Sequence, residues 1–302
     1  MSYTRTKPSD NVSQTQARLA HIQAHFLTRE PKLQGKVCVI TGVGSVKGIG
    51  RASAFLFARE GAKHLYLLDF DGSNLPSLAH ELKEKFPDVK VTIFQGDAAD
   101  ELLVARICRQ AVEEESRLDV FFANAGIATS QFLPDVSAEG FMHTLRVNTL
   151  SCFLAVKHAS EWMRRTSESK IEGGGSIILT ASISGLRSGA GTVDYSASKA
   201  AVNSIAMTSA YQLQRTNIRV NSLCPGLIET GMTTTTFDYA RSRGNEAKLG
   251  QLNPLGRYGV SEEIAQMALF LASDDASYVN GQNIAVDGGL SSSHPVIPGR
   301  WA

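Results

Sequence analysis

The stretch Thr41-Gly42-Val43-Gly44-Ser45-Val46-Lys47-Gly48-Ile49-Gly50 joins two segments of different period. Before it lies a β-branched apolar run, Val37 to Thr41; after it, Gly48 to Glu60 carries apolar residues at helical spacing. A strand that turns on glycines into a helix lets the backbone approach a diphosphate. The diphosphate then meets the unpaired N–H groups and positive dipole end of the helix N-terminus. Ordinary turns need glycine too, so the motif gains weight only by opening a series of alternating strands and helices. Gly42, Ser45, Lys47, Gly48, Ile49 and Gly50 are therefore the candidate dinucleotide cradle.

Downstream, the alternation continues. Strand patterns fall at Leu65–Leu68, Val89–Phe94, Asp119–Ala123, Ser176–Thr180, Ile218–Cys224 and Asn283–Val286. Helical patterns lie between them at Ser73–Phe86, Asp100–Glu115, Ser137–Thr166, Val193–Arg215 and Ser261–Ala272. Seven strands with helical crossovers predict an α/β fold: a single doubly wound, Rossmann-like domain with a seven-stranded parallel sheet covered on both faces. Right-handed crossovers are the rule for such units. The domain is expected over residues 35–290, with an extension at 1–34 and a tail at 291–302. One segment, Gly231 to Gly256, breaks the rhythm; it opens on Thr233 to Thr236 and carries Phe237 and Tyr239. A loop of this length reads as a lid or binding loop.

Composition excludes several function classes. Among 302 residues, 30 Lys and Arg face 29 Asp and Glu, a net charge of +1, so no basic field is available to grip nucleic acid. Hydrophobic residues make up 43% and charged residues 20%, which suits a chain with a sizeable core. The first 34 residues hold five basic side chains (Arg5, Lys7, Arg18, Arg29, Lys32) against Asp10 and Glu30. They contain no apolar signal core, and no run approaches the roughly 18 apolar residues of a membrane span. Cys38, Cys108, Cys152 and Cys224 are far apart, so neither a zinc site nor a disulfide framework is indicated, and a cytoplasmic location is expected. His21 and His25 sit four apart without a third ligand and read as a surface pair, so no metal is expected. Leu19, Ile22 and Phe26 mark an apolar stripe in the same segment that would pack on the domain or on a neighbouring subunit.

Asp69 ends the second strand about 20 residues after the glycines, where a carboxylate accepts hydrogen bonds from the adenosine ribose hydroxyls. Lys47 pulls the other way, because a cation before Gly48 could pair with a 2′-phosphate. Two unit charges about 4 Å apart are worth roughly 1–4 kcal/mol near a surface, so the better-placed residue decides between NAD(H) and NADP(H). Asp69 is fixed by a strand end while Lys47 rides on a loop, and NAD(H) is favoured.

Three later features occur in one order. Asn124-Ala125-Gly126 closes the fourth strand; Tyr195-Ser196-Ala197-Ser198-Lys199 places a tyrosine and a lysine four apart; Ser182 lies 13 residues before that tyrosine. Each has a bland reading on its own, as a turn, a helix face or a strand-end serine. Together with the glycine turn they resemble the short-chain dehydrogenase/reductase superfamily, over Lys36 to about Leu290. The sequence departs from that family at the turn itself: five residues separate Gly42 from Gly48, where the family usually has three.

The resemblance implies an NAD(P)-dependent oxidoreductase that interconverts a secondary alcohol and a ketone. Tyr195 would be the general acid and base. A free phenol titrates near about 10, too high for a base at neutral pH, and the Lys199 ammonium one turn away would favour the phenolate. Lys199 would also hold the nicotinamide ribose, Ser182 would orient the substrate oxygen, and Asn148, in Arg146-Val147-Asn148-Thr149, would serve the proton relay. Asp97 and Ala98 would meet the adenine, Asn124, Ala125 and Gly126 would line the cofactor, and Pro225, Gly226, Ile228 and Thr230 would close over the nicotinamide. Gly281 and Asp287-Gly288-Gly289 match a structural signature. The substrate would be a small alcohol or ketone, lined by Ile183 to Asp194 and by the 231–256 segment, including Leu186, Arg187, Phe237, Asp238 and Tyr239. Helices Asp100–Glu115 and Ser137–Thr166 resemble the family's packing helices, which implies a homodimer or homotetramer, and Pro295 to Ala302 would reach toward a partner. Two alternatives use the same fold: a cofactor-binding scaffold or regulator, and an isomerase or cyclase without net redox.

Overall fold

The computed structural model describes residues 31–294 together with Thr15, Gln16, Arg18, Leu19, Ala20 and Gln23. His21, His25, Ile22, Phe26 and the tail from Pro295 lie outside the described residues. The first strand, β1 (Val37–Thr41), is buried at every position, as a β-branched run at the centre of a parallel sheet should be. The turn at Gly42–Gly48 leads into α1 (Ile49–Arg59), followed by β2 (His64–Asp69), α2 (Leu75–Lys85) and β3 (Lys90–Gln95). Then come α3 (Glu101–Glu115), β4 (Val120–Ala123), α4 (Ala138–Leu145), α5 (Ser151–Met163), β5 (Gly175–Thr180), α6 (Val193–Gln212) and β6 (Ile218–Pro225). The chain ends through β7 (Ile228–Glu229), α7 (Thr234–Ser242), β8 (Gly259–Val260), α8 (Ser261–Ala272) and β9 (Asn283–Val286).

Seven strands form one parallel sheet in the order β3-β2-β1-β4-β5-β6-β9. The chain runs outward from β1 to β3, then returns to place β4 on the other side of β1. Such a reversal opens a crevice at the carboxyl ends of β1 and β4, the place where doubly wound folds bind ligands. Two apolar layers cover the sheet. One carries Val104, Ile107 and Cys108 of α3, Ala155 and Ala159 of α5, and Val202 and Ala206 of α6. The other carries Phe57 of α1, Leu78 and Leu82 of α2, and Ile264 and Leu271 of α8. Leu33, just before the expected start of the domain, is fully buried in this second layer. Further back, Arg18 donates to the Asp274 carbonyl, Lys32 pairs with Asp275, and Lys36 pairs with Asp274 at 3.1 Å.

Two segments differ from the sequence reading. The expected continuous helix 137–166 contains one wider π-helical turn, Arg146–Leu150, between α4 and α5, and stops at Met163. The expected loop 231–256 is largely helical. Its threonines act as caps: the Thr230 N–H donates to Thr233 Oγ1 (2.9 Å), which itself donates to the Ile228 carbonyl (2.6 Å), and α7 follows. Phe237, expected as substrate lining, is fully buried edge-on to Tyr258, with ring centroids 4.8 Å apart. Its ring is used in packing this segment down. Beneath it, β7 and β8 form a short parallel pair with no counterpart in the sequence reading.

Candidate active site

The site is built on the β1–β4 crevice. Gly42 has φ +74°, and a Cβ there would come within 2.8 Å of the Ala125 Cα. A Cβ at Gly50 would lie 2.2 Å from the Gly42 carbonyl oxygen, so the start of α1 packs against the turn as no other residue allows. No side chain caps α1 at Gly48, and its first turn holds no acid. Its N–H groups are therefore left for an anionic ligand, which is the donor set a diphosphate requires. Thr41 and Asn124 stitch the floor of the cradle. Thr41 Oγ1 accepts from the N–H groups of Asn124 and Ala125, each at 3.0 Å, and Asn124 Nδ2 donates to the Thr41 and Gly42 carbonyls. Thr180 Oγ1 completes the stitch by donating to Asn124 Oδ1 at 3.1 Å. The side chain of Asn124 is thus committed to joining three strands.

Asp69 faces the glycine turn. Its Oδ2 accepts from the Gly44 N–H at 2.6 Å and its Oδ1 from the Asp71 N–H at 2.9 Å, while Asn74 Nδ2 donates to the Gly44 carbonyl at 2.9 Å. The extra residues of the turn lean the other way. Ser261 Oγ donates to the Lys47 carbonyl (2.6 Å), and Lys47 Nζ pairs with Glu229 at 3.1 Å. Lys47 therefore faces the segment after β6. Asp97 caps the Ala99 N–H (2.8 Å) and pairs with Arg146 (2.5 Å). Burial works against its ionisation, but the Ala99 amide and the Arg146 guanidinium outweigh it and hold the carboxyl below its usual range. Ala98 beside it is buried. At the far side, Pro225 ends β6, the Gly226 N–H donates to the Val286 carbonyl (3.0 Å), Ile228 opens β7 and Thr230 caps the turn at 231–233.

The catalytic candidates converge from four elements. Tyr195 stands in the first turn of α6, half-buried, with Lys199 Nζ 5.6 Å from its ring centroid. Lys199 is buried and donates to the Thr180 carbonyl at 2.8 Å. A Cβ at Gly126 would lie 3.0 Å from Asn148 Oδ1 and 3.3 Å from Lys199 Nζ, so these two side chains meet over the backbone that follows β4. Asn148, fully buried in the π-helical turn, accepts from the Ile127 N–H (2.8 Å) and donates to the Ile127 carbonyl and Ser198 Oγ, each at 3.0 Å. Ser182 follows β5, accepts from the Ser184 N–H (3.1 Å) and lies 3.2 Å from the Ser184 hydroxyl. Ser184 and the Tyr195 ring both flank Gly191, each within 2.9 Å of where a Cβ would sit, which brings the serine turn against the tyrosine.

A family model described as enoyl-(acyl carrier protein) reductase matches residues 42–291. The chain is 39% identical over 259 residues to the 3-oxoacyl-(acyl-carrier-protein) reductase of Thermotoga maritima, covering 86% of this chain and 99% of that one. The crystal structure of levodione reductase superposes with a TM-score of 0.78 at 34% identity, over 87% of this chain and all of that one. A short-chain type dehydrogenase/reductase from Mycobacterium ulcerans gives the same TM-score at 28% identity, over 87% and 92% of the two chains. The chain belongs to the short-chain dehydrogenase/reductase family. Within this short-chain dehydrogenase/reductase, sequence reading took Asp194 only as the end of the substrate-lining stretch, whereas it is fully buried, and it missed Thr41, Asn74, Thr180, Ser198 and Glu229. Each acts on a residue distant in the chain, and only the strand-end position of Thr41 and Thr180 offered a local signal. Among the described residues, no three His, Cys, Asp or Glu side chains are grouped to hold a metal ion, and no helix is long and apolar enough to cross a membrane.

Proposed function

We propose that the protein is an NAD(H)-dependent oxidoreductase that interconverts a secondary alcohol and a ketone, with residues 35–290 as its catalytic domain and 1–34 and 291–302 as extensions. The observation that carries this reading is the half-buried Tyr195 ring beside the Lys199 ammonium, at the rim of a glycine cradle suited to a diphosphate. A bound nicotinamide supplies or accepts the hydride at the carbinol carbon. During reduction the Tyr195 hydroxyl donates its proton to the carbonyl oxygen, which becomes the alcohol oxygen as its C=O bond is reduced. During oxidation the phenolate takes that proton back. Ser182 hydrogen-bonds the same oxygen and holds it toward Tyr195. Lys199, one turn along α6 with its Nζ beside the Tyr195 ring, would hold the nicotinamide ribose. The Asn148 side chain spends both Nδ2 hydrogens and one Oδ1 lone pair on Ile127 and Ser198. Its part in proton relay therefore falls to its main chain, where the π-helical turn breaks the regular i→i−4 ladder.

NAD(H) is preferred over NADP(H) because Asp69 stands at the end of β2, where a 2′-phosphate would meet a carboxylate, while the nearest sequence cation is drawn off by Glu229. The relatives' named substrates are carbonyl and hydroxyl compounds, which supports a small ketone or alcohol here. Exposed Leu102 on α3 and Phe153 on α5 give these helices an apolar face that supports a homodimer or homotetramer. A cytoplasmic setting is consistent with four free, buried cysteines. The test is Tyr195→Phe assayed against a panel of ketones and alcohols. Turnover is expected to fall by ~10²–10⁴-fold, the range of positioned acid–base catalysis, with NADH binding retained. Undiminished turnover would overturn the assignment.

A further inference from the structure

Asp194 directly precedes Tyr195, is fully buried, and has only neutral groups among its recorded hydrogen-bond partners. A buried carboxylate is costly unless hydrogen bonds replace its water. Here hydroxyls from two separate segments do so, one of them backed by a third. Thr129 Oγ1, on the strand-free stretch after β4, lies 2.8 and 2.9 Å from the two carboxylate oxygens. Thr144 Oγ1, from the inner face of α4, donates at 2.8 Å. Thr192, at the N-cap of α6, lies 2.8 Å from Thr129 Oγ1 and backs that hydroxyl. Burial opposes the charge, but these donors outweigh it and keep the carboxyl below its usual range. Its place in the first turn of α6 adds the favourable end of the helix dipole.

A helix cap needs none of this burial, since an exposed acid or a serine would serve. What the burial achieves is to anchor the residue next to Tyr195 to two other segments. Asp194 is held by Thr129 and Thr144, and the carbonyl of the adjoining Tyr195 accepts from Ser198 Oγ at 2.7 Å, the same hydroxyl that Asn148 Nδ2 approaches. The stretch after β4 is likewise fixed twice, at Ile127 by Asn148 and at Thr129 by Asp194. We propose that Asp194 is a positioning residue for the reaction: its buried carboxylate gathers Thr129, Thr144 and Thr192 so that the main chain of Tyr195 is locked and its phenol is aimed at the substrate oxygen.

The proposal rests on Tyr195 being the proton donor, and the test separates the two. Asp194→Ala, Asp194→Asn and Thr129→Val are compared with Tyr195→Phe for kcat, KM, NADH affinity and thermal unfolding. A misplacement of the reacting group by about 1 Å costs on the order of 10²-fold. Asp194→Ala is accordingly expected to lower kcat by about 10- to 100-fold, with substrate KM and NADH Kd each changed less than threefold. Asp194→Asn, which keeps the shape and can still bridge hydroxyls, should recover at least a third of the lost rate on a logarithmic scale, and Thr129→Val should fall between the two. If Tyr195→Phe is inactive but folded Asp194→Ala and Thr129→Val both turn over within threefold of wild type, the positioning role is overturned while the Tyr195 assignment stands. If every variant loses NADH affinity and kcat in proportion to stability, Asp194 is a structural anchor and the proposal also fails. Should Asp194→Ala not fold, Thr129→Val and Asp194→Asn decide it by the same kcat-against-KM comparison.

Discussion

Gly44 is gripped at both of its polar groups, its N–H by Asp69 and its carbonyl by Asn74. A carboxylate offers about four acceptor positions, so the two used on Gly44 and Asp71 leave Asp69 able to receive ribose hydroxyls as well. On the proposed function, one side chain would both shape the turn and recognise the nucleoside. Removing it should cost both tasks. Asp69→Ala is expected to raise the NADH Kd by at least about tenfold, since hydrogen bonds to charged groups are worth about 1.5–3 kcal/mol. It should not make NADPH a good ligand, because Lys47 remains paired with Glu229. Asn74→Ala loosens the turn alone and should weaken NADH and NADPH alike, by about fivefold for one ordinary hydrogen bond. Fluorescence titration of both cofactors checks each outcome; an Asp69→Ala protein that binds NADPH as tightly as wild type binds NADH would remove this account. The position of Asp69 at the end of β2 was legible in the sequence, because the apolar run stops there. Asn74 was not, because an asparagine ahead of a helix reads locally as a cap.

At the scale of elements, the two extra residues of the glycine turn act as a strut. Lys47 reaches Glu229 in β7, and Glu229 also receives Arg241 of α7 at 2.9 Å, which in turn pairs with Glu246 at 2.8 Å. Arg241 and Lys47 together hold the Glu229 carboxyl below its usual range. The glycine turn is thereby tied to α7. Glu229→Gln cuts this tie in the middle. Exposed ion pairs add little to global stability, so the melting temperature should move by no more than ~2 °C. Proteolysis within 231–256 should accelerate several-fold, and substrate KM should rise while NADH Kd changes little. Unchanged cleavage of that segment would show that α7 is held by Phe237 packing alone. The helical content of 231–256 could not be read from sequence, since threonines have weak helix propensity and the caps they form depend on Ile228 and Thr230. The π-helical turn at 146–150 was hidden for a different reason: apolar spacing continues through it, and the extra residue is set by where Asn148 must meet Ile127.

For the whole molecule, the succession of strands and helices and the parallel sheet followed from period and turn chemistry, because the central strands are buried along their length, whereas the crevice between β1 and β4 came only with the strand order. What stayed out of view were charges that meet only after folding. One such group lies at the opposite end of the sheet from the site, where Glu115 at the close of α3 is buried against Lys63 (2.7 Å), Lys90 (2.8 Å) and His64 (3.1 Å). Burial alone would raise the Glu115 carboxyl, but hydrogen bonds from Lys63, Lys90 and His64 outweigh it and bring it to about 2. His64 is lowered, chiefly by burial against the pull of Glu115, so a neutral ring donates from Nδ1 to Glu115 and accepts at Nε2 from Thr92 (2.8 Å). Both groups bind protons more weakly folded than unfolded, so both make stability fall with falling pH. The His64 share is lost from about pH 6.5 downward, and the Glu115 share is complete above about 4.5 and drains away toward about 2. After allowing for solvent around the two partly exposed lysines, the Glu115 share is about 2 kcal/mol at neutral pH. Urea unfolding of wild type and Glu115→Gln should therefore differ by about this amount at pH 7, and the gap should close steadily below pH 4.5 and vanish only below about pH 2. A gap of constant size across that range would mean that Glu115 stabilises by shape, and the electrostatic account of the acid limb would fall.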